Sequence, residues 1–265
     1  MKLKAYVISL SSSLSRIQFL RKQFNDLGLI VEFVDAVTPK DIPHEQIHTL
    51  SKQWLRPMRN TEVACYLSHK RIWEKISNDN LPSLIFEDDV LLSKKIALLL
   101  ESISLMKQDY DLINLENRGR KKFVSRESVT IDKYHELFRL YQDRTGAAAY
   151  ILSKNGAIKL IDHEIRNGIA LADAHITSCN NLKSFQVEPA VAIQFDHCNF
   201  YKIYHKNYDF KSMSQSTVSS TKKVKGGVGY RIKRLKFQLL LGIRQVMLIF
   251  ISKRRFIKLN RNDFL

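Results

Sequence analysis

The chain has 265 residues, 45% hydrophobic and 26% charged, with 9 Gly and 5 Pro, which is too apolar for disorder and too mixed for a fibre. A chain of this length buries roughly 70 to 75% of its unfolded surface, and its three cysteines, Cys65, Cys179 and Cys198, form no CxxC pair, so neither a zinc ribbon, a redox motif nor a secreted disulfide framework is indicated. Of the net charge of +17, residues 222–265 carry +12, from 13 basic residues against Asp263, and the preceding 221 residues carry +5, so the basicity belongs to a tail.

The start, Met1 to Leu10, is basic, but its apolar stretch is short and runs into Ser11-Ser12-Ser13 without a small-residue cleavage site. This speaks against a signal peptide. Ala5 to Leu10 reads as a strand, and Leu14, Ile17, Leu20, Phe24 and Leu27 follow at helical spacing with Gly28 as a stop. Leu29 to Val34 is a second β-rich run, ending at Asp35. A helix over Thr61 to Lys75 would put Glu62, Cys65, His69 and Trp73 on one face. Glu62 and His69 are then two turns apart, roughly 10 Å, too far to share a metal without movement. The plain alternative is that His69 hydrogen-bonds into the core and Cys65 packs as a small hydrophobe.

Leu84-Ile85-Phe86 is a third strand and ends in Glu87-Asp88-Asp89, the sharpest local signal in the chain. Side chains alternate along extended chain, so Glu87 and Asp89 point one way and Asp88 the other. Carboxylates converging at a cleft edge repel one another, and Mg²⁺ or Mn²⁺ relieves that through oxygen ligation; a solvated turn is the plain alternative. Tyr110 to Leu115, Ala147 to Leu152 and Val187 to Gln194 complete the strands, with a helix from Ser153 as N-cap. Strands alternating with helices predict an α/β layer fold with a largely parallel sheet, whose ligands sit beyond the carboxyl ends of the strands. No P-loop, GxGxxG or GxSxG pattern is present.

Ser212 to Gly229 has linker composition. Beyond it, Tyr230 to Lys258 reads as a helix, with Arg231, Arg234, Gln238, Gly242, Gln245, Ser252 and Arg255 recurring at steps of three, four or seven residues and an apolar arc between them. Its most apolar stretch, Phe237 to Ile251, is interrupted by Arg244-Gln245 and falls short of the roughly 20 apolar residues of a membrane span. The pattern suits a helix lying in an anionic membrane interface. A helix packed on the core with solvated charges is the alternative, and nucleic-acid binding fits so apolar an arc poorly.

Two blocks in order, Thr61-Glu62-Val63-Ala64-Cys65-Tyr66-Leu67-Ser68-His69-Lys70-Arg71-Ile72-Trp73 and Ser83-Leu84-Ile85-Phe86-Glu87-Asp88-Asp89-Val90, resemble the G-E-x-G-C-x-x-S-H-x-x-x-W and L-E-D-D blocks of glycosyltransferase family 25. Val7-Ile8-Ser9-Leu10 with Arg16 is similar to the family's opening I-N-L-x-x-x-x-x-R, and Phe33-Val34-Asp35-Ala36-Val37 to its F-x-x-A-V. Asp111 to Leu115, Tyr150 to Ser153, Asp173 and Glu188 to Val191 follow in the family's order. Departures are Ser9 for Asn, and Thr61 and Ala64 for glycines. The likeness covers about residues 3–220 and leaves the tail outside.

The resemblance implies a GT-A-like, Rossmann-type domain over residues 1–211, and the composition places after it a linker at 212–229 and a basic amphipathic tail at 230–265. It implies a metal-dependent inverting hexosyltransferase that moves galactose from UDP-galactose onto a lipooligosaccharide or lipopolysaccharide core acceptor. In that reading Mn²⁺ or Mg²⁺ is held by Glu87 and Asp89, with His197 completing the shell, and Asp173 is the base. Ser9, Leu10, Arg16, Asp35, Ala36 and Asp88 lie near the UDP-sugar, supported by Ser68 and His69. The tail would hold the enzyme on the cytoplasmic face of the inner membrane, beside a lipid-linked acceptor, with no nucleic-acid partner. The alternatives are a transferase for UDP-glucose or UDP-N-acetylglucosamine, and a noncatalytic basic protein that binds membrane surfaces or nucleic acid.

Overall fold

The first strand, β1 (Lys4–Ser9), buries every residue after Lys4, as expected for a strand covered on both faces. Its side chains alternate between two cores: Ala5 and Val7 join one, and Tyr6 and Ile8 the other. The computed structural model describes residues 3–106, 109–143, 145–214 and 226–264. After β1 come α1 (Leu14–Asp26), β2 (Glu32–Asp35), α2 (His44–Ser51), α3 (Asn60–Ser77), β3 (Ser83–Glu87), β4 (Val90–Leu92) and α4 (Ile96–Leu105). The middle of the chain forms β5 (Leu112–Asn114), β6 (Lys122–Thr130), β7 (Glu136–Gln142), β8 (Ala149–Leu152), α5 (Lys154–Asn167) and α6 (Ala172–Ser178). Last are β9 (Ser184–Glu188), β10 (Ala192–Gln194), α7 (Phe195–Cys198), α8 (Phe210–Met213), α9 (Val228–Ile251) and β11 (Ser252–Arg255).

Nine strands form one sheet in the order β11-β6-β7-β9-β5-β8-β3-β1-β2, and β10 pairs with β4 in a separate ribbon. Following the pairings across the sheet, β1, β2, β3, β5, β6 and β9 run one way and β7, β8 and β11 the other. The α/β class and the shared direction of most strands agree with the sequence pattern. The antiparallel strand β8, between β3 and β5, breaks the parallel run at the centre. Phe19, Leu20 and Phe24 of α1 and Ile96, Leu99 and Ile103 of α4 cover one face. Val63, Tyr66, Ile72 and Trp73 of α3 and Ala157 and Leu160 of α5 cover the other.

Local signals act where expected. Gly28, at φ +66, ends α1 in the left-handed region that a side chain disfavours. The Ser153 hydroxyl accepts the Gly156 N–H at the start of α5. The C-terminal helix differs from its expected span: it stops at Ile251, and Ser252–Arg255 pair antiparallel with β6. Beyond that strand the Lys258 carbonyl accepts the Ala190 N–H, and Ile257 and Phe264 are buried. Arg255 makes two hydrogen bonds to buried Glu188, at 2.6 and 2.5 Å. The end of the chain is therefore part of the domain. Of the expected linker, residues 215–225 lie outside the described residues.

Two sides of α9 differ. Tyr230, Phe237, Arg244 and Leu248 recur at steps of seven, seven and four and face the domain: the Tyr230 hydroxyl donates to the Lys52 carbonyl, Phe237 packs edge-on against Trp54, Arg244 donates to the Tyr141 carbonyl, and Leu248 is buried. Ile232, Leu235, Leu239, Ile243, Val246 and Phe250 recur at steps of three and four on the opposite side, all more than half exposed. Among the described residues no helix is long and apolar enough to cross a membrane.

Candidate active site

Strand alternation carries the acids at the end of β3 to opposite faces. Ile85 faces the α3 side and Phe86 the α1 side, so Glu87 meets α3 and Asp88 meets α1. Glu87 Oε1 is 3.0 Å from His69 Nε2, and Glu87 Oε2 accepts a hydrogen bond from Gln194 Nε2 at 2.8 Å. His69 is itself fixed, with Nδ1 3.0 Å from the Tyr150 hydroxyl, which also accepts the Trp73 indole N–H at 2.8 Å. Burial pushes the Glu87 carboxyl up, but the hydrogen bond and charge of His69, the charge of Arg118 and the Gln194 hydrogen bond outweigh it and hold Glu87 below the usual range.

On the other face, Arg16 Nη1 donates to Asp88 Oδ1 at 2.6 Å, and Arg16 Nε donates to the Met213 carbonyl at 2.8 Å. The Leu10 N–H also donates to the Asp88 carboxyl, and the Ser9 hydroxyl reaches Asp88 Oδ2 at 3.4 Å. Ser9, Leu10, Arg16 and Asp88 thus form one linked group at the ends of β1 and β3. Ala36 joins it through its N–H to the Ser9 carbonyl, at 2.9 Å, whereas Asp35 is exposed at the end of β2.

Asp89 feels the charges of both groups, Glu87 on one side and Asp88 and Arg16 on the other. Its backbone carbonyl accepts the Phe195 N–H, but its Oδ1 is buried with no hydrogen-bond partner. Burial, with the like charges of Glu87 and Asp88, holds its carboxyl well above the usual range. An orphaned, electrostatically repelled carboxylate oxygen beside two other acids is chemically suited to a hard divalent cation, and Glu87 and Asp89 would be the residues to hold it.

Of the other expected residues, Ser68 is structural in its contacts: it accepts the Val37 N–H and donates to the Ala64 carbonyl, tying α3 to the chain after β2. Asp173 opens α6, one oxygen accepting its neighbour Ala174's N–H at 2.7 Å. Burial and the Glu87 charge raise its carboxyl. His197 Nε2 donates to the Arg118 carbonyl at 3.0 Å, and Nδ1 is 3.6 Å from Asp196. Among the described residues no hydrogen bond joins His197 to Glu87 or Asp89, and its ring bonds to the Arg118 carbonyl instead.

Gln194, Glu116 and Arg118 were not singled out by the sequence pattern. Glu116 is fully buried, one oxygen accepting the Ala148 N–H at 3.0 Å and the other unpartnered but for Arg118 Nε at 3.8 Å. Burial pushes its carboxyl up to about 7. Gly146, at φ +95, leaves the space that this carboxylate occupies. Arg118 in turn bonds to Gln194 and Asp196. Glu116 and Gln194 each stand at the carboxyl end of an apolar run, the position that α/β sheets use for ligands, and that rule is the signal that would have found them.

These sites sit on a chain with clear relatives. The profile of glycosyltransferase family 25 (LPS biosynthesis protein) matches residues 2–177. The lipooligosaccharide biosynthesis protein lic2B of Haemophilus influenzae is 27% identical over 203 residues, 71% of this chain and 75% of that protein. The lacto-N-neotetraose biosynthesis glycosyltransferase LgtE of Neisseria meningitidis serogroup B is 29% identical over 56% of each chain. Procollagen galactosyltransferase 1-A of Xenopus laevis is 29% identical over 61% of this chain and 28% of its own length. With the profile covering both motif blocks, from before β1 through the acids of β3 to the last turn of α6, the chain belongs to glycosyltransferase family 25.

Proposed function

We propose that this glycosyltransferase transfers a hexose, galactose from UDP-galactose, with inversion, onto a lipooligosaccharide or lipopolysaccharide core acceptor. The observation that carries the reading is the buried, unpartnered Asp89 oxygen within the Glu87-Asp88-Asp89 cluster at the carboxyl end of β3. Mn²⁺ or Mg²⁺ bound by Asp89 and Glu87 would supply neutralisation of the departing diphosphate's charge. Glu87 is oriented for this by His69 and Gln194, and Asp88 is kept out of it by Arg16. Ser9, Leu10 and Ala36 form the edge on which a uridine would rest. Asp173, raised by burial and the nearby Glu87 charge, suits a base that takes the acceptor hydroxyl's proton.

The test is UDP release by the full chain from UDP-galactose, UDP-glucose and UDP-N-acetylglucosamine, with Mn²⁺ or EDTA, beside Asp89→Ala. Metal-dependent release from one donor, lost in the variant, supports the reading and names the sugar. No release from any donor, with a lipooligosaccharide acceptor mixture present, overturns it.

We infer a membrane attachment from α9. Its apolar stripe of Ile232, Leu235, Leu239, Ile243, Val246 and Phe250 lies opposite the side that packs on the domain, and Arg231, Lys233, Arg234 and Lys236 flank it. Such a helix sinks its apolar side among acyl chains while each nearby cation gains about 1 kcal/mol from anionic headgroups. Leu235→Glu with Leu239→Glu should release the protein from anionic vesicles; undiminished cosedimentation would sink the idea.

A further inference from the structure

We propose that Cys65, His69 and Glu87 form a second cation site, one that takes a thiophilic divalent ion of the Zn²⁺ type. Cys65 and His69 are four residues apart on α3, so their side chains lie on one face a single turn apart, and β3 delivers Glu87 to the same spot. Cys65 Sγ, a ring nitrogen of His69 and a carboxylate oxygen of Glu87 lie within 4.8 Å of one another. The 3.0 Å from His69 Nε2 to Glu87 Oε1 is already close to the spacing of two ligands on an ion with bonds of about 2.0 to 2.3 Å, so only the sulfur has to approach.

The three cysteines differ in a way that fits. Cys179 donates to the Lys159 carbonyl and to Asn181, and Cys198 to the Gln194 carbonyl. Cys65 is a free cysteine with no hydrogen-bond partner among the described residues. Burial, and after it the charges of Glu87, Asp173, Asp89 and Asp88, push the Cys65 thiol well above its ordinary range. A divalent ion reverses that balance: the thiol proton leaves to solvent and the thiolate becomes a ligand. His69 must then carry its ring proton on Nδ1, and the Tyr150 hydroxyl beside Nδ1 can accept as well as donate. Three protein ligands leave the fourth position to water, the arrangement of an exchangeable rather than a structural ion.

Sulfur and imidazole favour Zn²⁺ over the hard cations that carboxylates alone select. The two sites share Glu87, so an ion at Cys65 withdraws that carboxylate from Asp89. The site therefore gives a thiophilic metal a direct way to inhibit the transfer reaction. The geometry stands without that reaction, and the test does not use it.

The full 265-residue chain is titrated with Co²⁺. The expected result is a near-ultraviolet thiolate-to-cobalt charge-transfer band with the visible bands of tetrahedral cobalt, bleached by Zn²⁺. Cys65→Ser and Cys65→Ala should both lose the charge-transfer band, while Cys179→Ser keeps it. The pair of Cys65 variants, each checked for native circular dichroism, keeps a folding defect in one from deciding the matter. Absence of the band in the unaltered protein at saturating Co²⁺, or its survival in a folded Cys65 variant, overturns the proposal.

Discussion

His69 stands between Glu87 and Tyr150, with Nε2 3.0 Å from one and Nδ1 3.0 Å from the other. The helix that carries the histidine is thereby coupled to the strand end that carries the acids. The Trp73 indole, on the same helix, holds the Tyr150 hydroxyl from a third direction. This buried chain fixes where the Glu87 carboxylate points.

Tyr150→Phe tests that chain. It leaves the fully buried Trp73 N–H without an acceptor, which costs about 1 to 3 kcal/mol. Thermal unfolding should therefore fall by roughly 2 to 4 °C for each kcal/mol lost. An unchanged midpoint would mean that the Trp73 N–H finds another partner.

Asp89→Asn separates stability from activity. Burial and repulsion by Glu87 and Asp88 oppose ionisation of Asp89 in the fold, and Asn is neutral without having to hold a proton, so in EDTA the variant should melt higher than the parent, by a margin that grows with pH. Loss of the anionic ligand should lower metal-dependent UDP release by about 10²-fold or more. A variant that melts lower in EDTA would count against the repulsion described here.

Glu62 gives the fold an acid limit. Its carboxylate, 4% exposed, accepts hydrogen bonds from both Arg56 nitrogens at 2.8 and 2.7 Å, from Arg59 Nη2 at 2.8 Å and from the Arg59 N–H at the start of α3. Burial raises this carboxyl, but these bonds win and lower it from 4.5 to about 2. A folded value below the unfolded one means stability that is present above pH 4.5 and lost as the pH falls toward 2, roughly 3 kcal/mol in all. In denaturant titrations Glu62→Gln should be less stable than the parent at pH 7, with a difference that shrinks between pH 4.5 and 2.

The end of the chain should behave as core. Arg255→Ala strands the buried Glu188 carboxylate and should destabilise by about 3 to 5 kcal/mol. Leu239→Glu, on the exposed stripe of α9, should leave the melting midpoint within about 0.5 kcal/mol of the parent in stability. Equal effects of the two would contradict the packing described for α9 and β11.

The strands near the site were legible because their signals are local. Leu84 to Phe86 is an apolar run of strand length, and period-two alternation alone sends Glu87 and Asp88 to opposite faces. The helix over α3 followed from the spacing of Glu62, Cys65, His69 and Trp73, and the order of its motif with Glu87-Asp88-Asp89 pointed to the family. The expected end of the last helix was wrong because the Lys253-Arg254-Arg255 cluster looks solvated in sequence. In the fold, Arg255 turns inward to Glu188, a partner 67 residues away.

What the sequence by itself determined is therefore the α/β class, the acids at the end of β3 and the family, all carried by contiguous residues. The tertiary structure alone decided which carboxylates are satisfied. Glu87 is held by His69 and Gln194, Asp88 by Arg16, and Asp89 keeps one oxygen that accepts no hydrogen bond. Whether a carboxylate is free depends on donors that come from α1, α3 and β10, up to 107 residues away. No local pattern records that, because hydrogen-bond satisfaction is a property of packed neighbours rather than of the segment that bears the group.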